Sequence, residues 1–183
     1  MANSFQDVIA RQVELSYVPP QNFYMVIDKL PEIVFTCQQL TIPNISTGEA
    51  IMSNRFNPSK TFVPGDGVDY GTLEITFILD KHFRNYRSLL KWIKQNGVPD
   101  DPKQWTVNAF ADTMSDITVY GCDSANEPLV HWNFKNCFPI SVGATAFDST
   151  MTDITYLTSD VSFRYHYFTH NTYTNGSLNN DEI

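Results

Sequence analysis

Residues 73–93, LEITFILDKHFRNYRSLLKWI, change their hydrophobic period midway. In the first eight, Leu73, Ile75, Phe77 and Leu79 alternate with Glu74, Thr76 and Asp80, the two-residue period of a half-buried strand. After Asp80 the period becomes helical: Phe83, Tyr86, Leu90 and Ile93 fall at i, i+3, i+7 and i+10, one apolar stripe. These four, with Leu73, Ile75 and Phe77, are the predicted core of the segment. Asp80 is placed as the N-cap, because its carboxylate can accept from first-turn amides. Asn96 and Gly97, followed by Pro99, supply the stop.

The same reading extends along the chain. Residues 4–15 have Phe5, Val8, Ile9 and Val13 at helical spacing, cut off from the rest of the chain by Pro19 and Pro20. Residues 22–30 and 34–42 read as a hairpin turning around Leu30, Pro31 and Glu32, and 48–54 as a further strand. Residues 55–71 hold two prolines and three glycines and no sustained period, so a long, functional loop is expected there. A linker at 98–104 precedes strands at 105–109, 116–123 and 128–136, the last two forming a hairpin through residues 124–127. Strands at 140–147, 153–157 and 160–168 complete the count, the last alternating Val161, Phe163, Tyr165 and Tyr167 against Ser162, Arg164 and His166. Residues 171–183 are polar and turn-prone, expected to be mobile or ordered only on a partner. The organisation is an N-terminal arm (1–20), one domain (21–170) and a C-terminal tail (171–183). The fold class is mainly β with one principal α-helix, a sandwich or barrel-like pair of sheets.

Composition sharpens this picture at one place. The chain carries a net charge of −8, which disfavours non-specific attachment to nucleic acid but not a lumen past which nucleic acid slides. Against that acidic background, Lys81, Arg84, Arg87, Lys91 and Lys94 gather on the predicted helix, five of twelve Lys and Arg. Solvated cations are routine on helices; the functional alternative is an electrostatic docking surface for an acidic partner. Trp92 lies off the apolar stripe on the basic side, where it reads as an interface anchor.

Candidate chemistry adds little. No basic-then-apolar leader opens the chain, and no apolar run approaches the roughly 18 residues of a membrane span. Cys37, Cys122 and Cys137 lack C-x-x-C spacing and read as buried free thiols folded in a reducing cytosol. His166 and His170 on a strand stand roughly 13 Å apart, too far to share one ion. Gly65, Asp66 and Gly67 lack the ligand spacing of a calcium loop, and no nucleophile or phosphate-binding motif is present. No cofactor and no metal are expected, and no enzyme activity.

The strand–Asp–helix unit at 73–93 resembles the tail-tube protein family of contractile-tailed bacteriophages. So does HWNFKNCFPISVGATAFDSTMTDITYLTSDVSFRYHYF, which looks like that family's closing strands, and FTCQQLTIP, which looks like its early strand. The likeness covers roughly residues 22–168. It implies two packed antiparallel sheets with a flanking helix, and a homo-hexameric ring in which one sheet per subunit closes a continuous channel. The long loop, with Phe56, Phe62, Asp66, Asp69 and Tyr70, would reach a neighbouring subunit or ring. The basic helix (Arg84, Arg87, Lys91, Lys94, with Trp92) would lie outside, meeting a sheath or neck protein. The resemblance further implies a virion tail protein assembled in the host cytoplasm, with DNA passing an acidic lumen unread and no membrane involved. The arm and tail point first to a tail terminator or completion ring, then to the main tube subunit, then to a baseplate tube initiator. Three Trp and nine Tyr keep one non-viral reading in play, a carbohydrate-binding β-sandwich.

Overall fold

One long strand, β7 (Pro128–Val142), organises the molecule because it belongs to two sheets. The computed structural model describes residues 18–34, 36–54, 57–97, 113–150, 152, 155–174 and 177–179. The predicted helix at 4–15, the linker at 98–104, the strand at 105–109 and Phe56 lie outside them. In chain order the remaining elements are β1 (Phe23–Ile27), α1 (Pro31–Val34), β2 (Cys37–Thr41), β3 (Ile45–Asn54), β4 (Asn57–Tyr70), β5 (Leu73–Ile78) and α2 (Arg84–Asn96). After them come β6 (Ser115–Cys122), β7, β8 (Thr158–Arg164), β9 (Tyr167–Thr174) and β10 (Ser177–Asn179).

The first half of β7 pairs with β6 and β9, to which β1 and β10 add, giving the order β1-β6-β7-β9-β10. Its second half pairs with β8, and β5 and β2 come next, giving β7-β8-β5-β2. All these pairings are antiparallel. The strand changes sheets where Asn136 takes a left-handed backbone (φ 55°) and the register slips between Pro139 and Ser141. Proline has no amide to give a ladder, so a strand interior accepts it at such an irregularity. The two strands predicted at 128–136 and 140–147 are therefore one bent strand ending at Val142, and residues 143–148 are irregular. The strand predicted at 160–168 breaks instead, into β8 and β9, at Tyr165 and His166. Its partner bends at the same level, and His166 donates its amide to the Lys135 carbonyl at 3.0 Å to hold the corner. Residues 155–157, expected as strand, are irregular as well.

The core lies between the sheets. Met25, Ile27, Ile117, Val119 and Phe134 face Leu73, Ile75, Phe77, Val161 and Phe163, each at most 2% exposed. Burying each such side chain favours folding by about 1.5–3 kcal/mol. Strands β1 and β2 do not form the predicted hairpin: β1 adds to β6 and β2 to β5, in different sheets. Buried Leu30 and Ile33 explain this, because Leu30 and the short α1 after it pack into the core where the chain passes from one sheet to the other. The C-terminal residues also depart from expectation. β9 runs past residue 170 to Thr174, and β10 pairs back on it, so 171–174 and 177–179 extend the sheet.

Candidate assembly surfaces

Helix α2 starts three residues later than its sequence signals suggest. Asp80 does not cap it: its carbonyl accepts from the Phe83 amide at 2.8 Å in a turn, and Arg84 opens the helix. Phe83 stands at the N-cap in the left-handed region (φ 53°) with no side-chain cap bond, a costly conformation for a bulky residue. Asn85, 1% exposed, does the joining. Its Nδ2 donates to the Ile78 carbonyl (2.8 Å) and to Thr36 Oγ1 (3.4 Å). Its Oδ1 accepts from the amides of Tyr86 (2.9 Å) and Asp80 (3.4 Å). One amide side chain thus fixes the strand-to-helix corner.

The buried stripe of α2 is Asn85, Leu89 and Trp92. Phe83, Tyr86, Leu90 and Ile93 are only half-buried, on the shoulder of the helix. The predicted face is rotated because a buried polar residue leads the stripe, and apolar spacing alone gives Asn85 to solvent. Trp92 is corrected with it. Only 4% exposed, it packs 5.8 Å from the Phe163 ring and donates Nε1–H to the Thr113 carbonyl at 2.7 Å. It is a core residue, not an interface anchor. The ammonium of Lys29 sits 5.4 Å from its ring centre, an edge-of-core cation–π contact. The C-terminal stop is where expected, with the Gly97 amide donating to the Ile93 carbonyl at 3.0 Å.

Rotation leaves the cations where the sequence places them. Lys81, Arg84, Arg87, Lys91 and Lys94 are all exposed. Arg84, Arg87, Ser88 and Lys91 line an open depression of about 320 Å³. Beside its N-terminal end lies an aromatic cluster: Phe83 is 6.4 Å from Tyr86 and 6.4 Å from Phe147, which is 78% exposed. The surface is thus half cationic and half aromatic.

The segment expected as a long loop is β4, paired along its length with β3 as a separate two-stranded sheet. Prolines and glycines conceal the strand in the sequence. Gly65–Gly67 bulge out opposite the single residue Gly48, and a Cβ on Gly65 would lie 2.7 Å from the Gly48 carbonyl oxygen. The hairpin is rooted where the Gly71 amide meets the Asn44 carbonyl (2.9 Å) and Arg164 Nη1 donates to the Tyr70 carbonyl (3.0 Å). Tyr70, predicted to meet a neighbour, packs inward at that root, edge-on to Tyr165 (5.9 Å) and Phe168 (6.0 Å). Burial drives the Tyr165 phenol up to about 12, helped by Tyr70, so it stays neutral under the root. Beyond the root the arm exposes Ile45, Ile51, Met52, Phe62 and Val68, each more than half accessible, together with Asp66 and Asp69. Ile51 and Phe62 are cross-strand partners and share a face with Glu49 and Pro64.

Two further surfaces flank the body. Among the described residues, β2 pairs only with β5, and residues 138–142 of β7 pair only with β8, so the four-stranded sheet has two open margins. Its outer face is polar, with Gln39, Thr41, Glu74, Thr76, Asp160 and Ser162; Thr76 Oγ1 donates to Asp160 Oδ1 at 2.7 Å. The outer face of the other sheet is aromatic. Tyr24, Tyr120, His131 and Asn171 stand in one cross-strand row. Tyr24 stacks on Tyr120 at 4.5 Å, and His131 lies 5.8 Å from Tyr120 and 5.3 Å from Tyr173. His131 is 8% exposed and its Nδ1 has no hydrogen-bond partner among the described residues. Burial, then the nearby His170, depresses its pKa and keeps the ring neutral. This row arises from strand register between distant segments, and sequence reasoning missed it.

No catalytic constellation joins these surfaces among the described residues. Cys37 is half-buried and Cys122 and Cys137 are buried, all as free thiols. Burial raises Cys37 to about 11 and Cys137 to about 12, far from a reactive thiolate. No group of three potential metal ligands is found among the described residues, and no described helix is long and apolar enough to cross a membrane.

A family model described as phage tail tube protein matches residues 8–171. No curated protein matches the sequence significantly. Among solved structures, the chain is similar to one from the PVC extracellular contractile injection system, in its sheath–tube complex in the extended state. The TM-score is 0.65 and the identity 17%, over 94% of this chain and 100% of that one. It is also similar to the tube terminating cap of the anti-feeding prophage (TM-score 0.64, 16% identity, 86% of this chain and 92% of that one). A third likeness is to the PVC sheath/tube terminator in the extended state (TM-score 0.62, 16% identity, 85% and 98%). At such identities these likenesses speak to the fold: mostly β, two antiparallel sheets and one principal helix.

Proposed function

The chain belongs to the phage tail tube protein family, and from that membership we propose that it assembles into a closed ring, six copies around a channel, within a contractile tail. The observation that carries the reading is a subunit with unfinished borders. An unpaired strand margin is a template for another chain, and among the described residues the four-stranded sheet has one at each side. A heterologous contact repeated by rotation closes into a ring or extends as a filament. Strand β2 of one copy pairing beside β7 of the next joins the four-stranded sheets into a barrel. Their polar outer faces, bearing Glu74 and Asp160, then line the channel. Carboxylates there repel phosphate, so DNA passes without adhering. The arm reaches a neighbouring copy, because none of the described residues of its own body covers its apolar side chains. The cationic face of α2 meets an acidic protein surface, for which a sheath or neck protein is the first expectation.

We assign the ring to the end of the tube, as a terminator or completion ring of the virion tail assembled in the host cytoplasm; its role is structural. The shared fold with two tube-terminating chains supports this. A second reading, main tube subunit, is favoured by the likeness to the chain from a sheath–tube complex, all of whose length is covered. Mass measurement and negative-stain imaging of the purified protein test both. Discrete rings of six 20.9 kDa chains are expected; long tubes select the second reading, and a single-copy species at high concentration refutes the ring.

A further inference from the structure

We propose that the acidic surface received by helix α2 is the β3–β4 arm of a second copy of this chain. The inference rests on the ring reading above and puts a second copy, in place of a sheath or neck protein, as the partner for the cationic face. Two features of the arm answer two features of the helix surface.

The first is charge. On a chain of net charge −8, the exposed cations Arg84, Arg87 and Lys91 are a local exception. The arm presents exposed Asp66 and Asp69 at its bulge and near its root. Opposed patches steer encounter and fix register, while like-charged alternatives are penalised. The second is apolar surface. On the face that carries Asp69 the arm exposes Met52 (64%), and the helix surface exposes Phe147 (78%) beside the half-buried rings of Phe83 and Tyr86. Among the described residues neither patch is covered by its own chain, and aromatic side chains in the centre of a contact dominate its energy.

Arm and helix surface are different patches of one molecule, so the contact is heterologous and repeats from copy to copy.

A charge-exchange experiment on the full chain tests this. One variant carries Arg84→Glu, Arg87→Glu and Lys91→Glu; the other carries Asp66→Lys and Asp69→Lys. Each substituted position is exposed, so both variants are expected to keep the wild-type circular dichroism and melting temperature. Each alone should stay single-copy at concentrations where wild type forms rings, an assembly loss of at least tenfold in midpoint concentration. A one-to-one mixture should recover rings, because reversed arms then meet reversed helices and native arms meet native ones. Two results overturn the inference while leaving the ring reading intact. One is a helix-reversed chain that assembles like wild type. The other is two folded variants that fail alone and also fail when mixed, although wild type forms rings. A wild-type chain that never assembles overturns both readings together.

Discussion

Two side chains of this protein, Asn85 and His131, have roles that their residue types do not announce. Asn85, not Asp80, ties the strand to the helix, because it reaches the last strand carbonyl of β5 and the Tyr86 amide of α2 at once. Removing it leaves those groups buried without partners, each at a cost of about 1–3 kcal/mol. His131 poses the opposite case, a buried imidazole among Tyr120, Tyr173 and Asn171, near His170, with Nδ1 unpaired. Its folded pKa lies below the ordinary value of about 6.5 that the unfolded chain keeps. As pH falls from 6.5 toward the folded pKa, the unfolded state binds more protons, so stability declines over that window. Asp116 does not confuse this. Burial raises its pKa, but hydrogen bonds from Lys135 and the Asn136 amide outweigh that and leave it below the usual carboxylate value, so its contribution fades only at lower pH. Urea midpoints measured between pH 7.5 and 5.5 should fall for wild type and fall less for His131→Phe. Parallel curves would remove His131 as the source.

At the scale of elements, α2 and the β3–β4 arm show how local pattern and tertiary role separate. The helix is legible in the hydrophobic period, with its stop, yet apolar spacing turns its buried face the wrong way about the axis. A stripe led by a buried asparagine carries no apolar mark at that position. The consequence is measurable. Leu89→Asp buries an unpaired carboxylate, costing several kcal/mol, and should unfold the domain. Ile93→Asp, on the partly buried shoulder, should cost less than Leu89→Asp because its carboxylate stays nearer water, and thermal melts compare the two directly. Equal destabilisation would restore the face that spacing alone predicts. The arm is hidden in the sequence because Pro58, Pro64, Gly65 and Gly67 interrupt the strand period, although β4 pairs with β3 on both sides of the Gly65–Gly67 bulge.

For the whole molecule, the body and the arm are separable by the nature of their contacts. The body encloses a two-sheet core, whereas the arm is fastened at Asn44, Tyr70 and Gly71 and projects roughly 30 Å at about 3.3 Å per residue. Replacing residues 46–69 with a short turn should leave a soluble, cooperatively melting body that no longer forms rings. Size-exclusion chromatography with light scattering reads the outcome. Rings of the shortened chain would show that strand margins suffice and that the arm is dispensable. Such a result would also redirect attention to β2 and residues 138–142 of β7, where the sheet is open on either side.

The sequence by itself determined where strands alternate, where the one long helix runs and stops, and that its cations crowd onto an acidic chain. These are properties of neighbouring residues, and periodicity reports them. The resemblance of residues 73–93 and 131–168 to a known family likewise rests on local order. Only the tertiary structure decided which strands pair, that β7 serves two sheets, that Trp92 turns inward, and that Tyr24, Tyr120, His131 and Asn171 meet in a row. Each of those depends on contacts between segments tens of residues apart, where burial and strand register, not local preference, select the partner. The same distinction explains the arm: its residues read as a loop alone and become a strand only when β3 lies beside them.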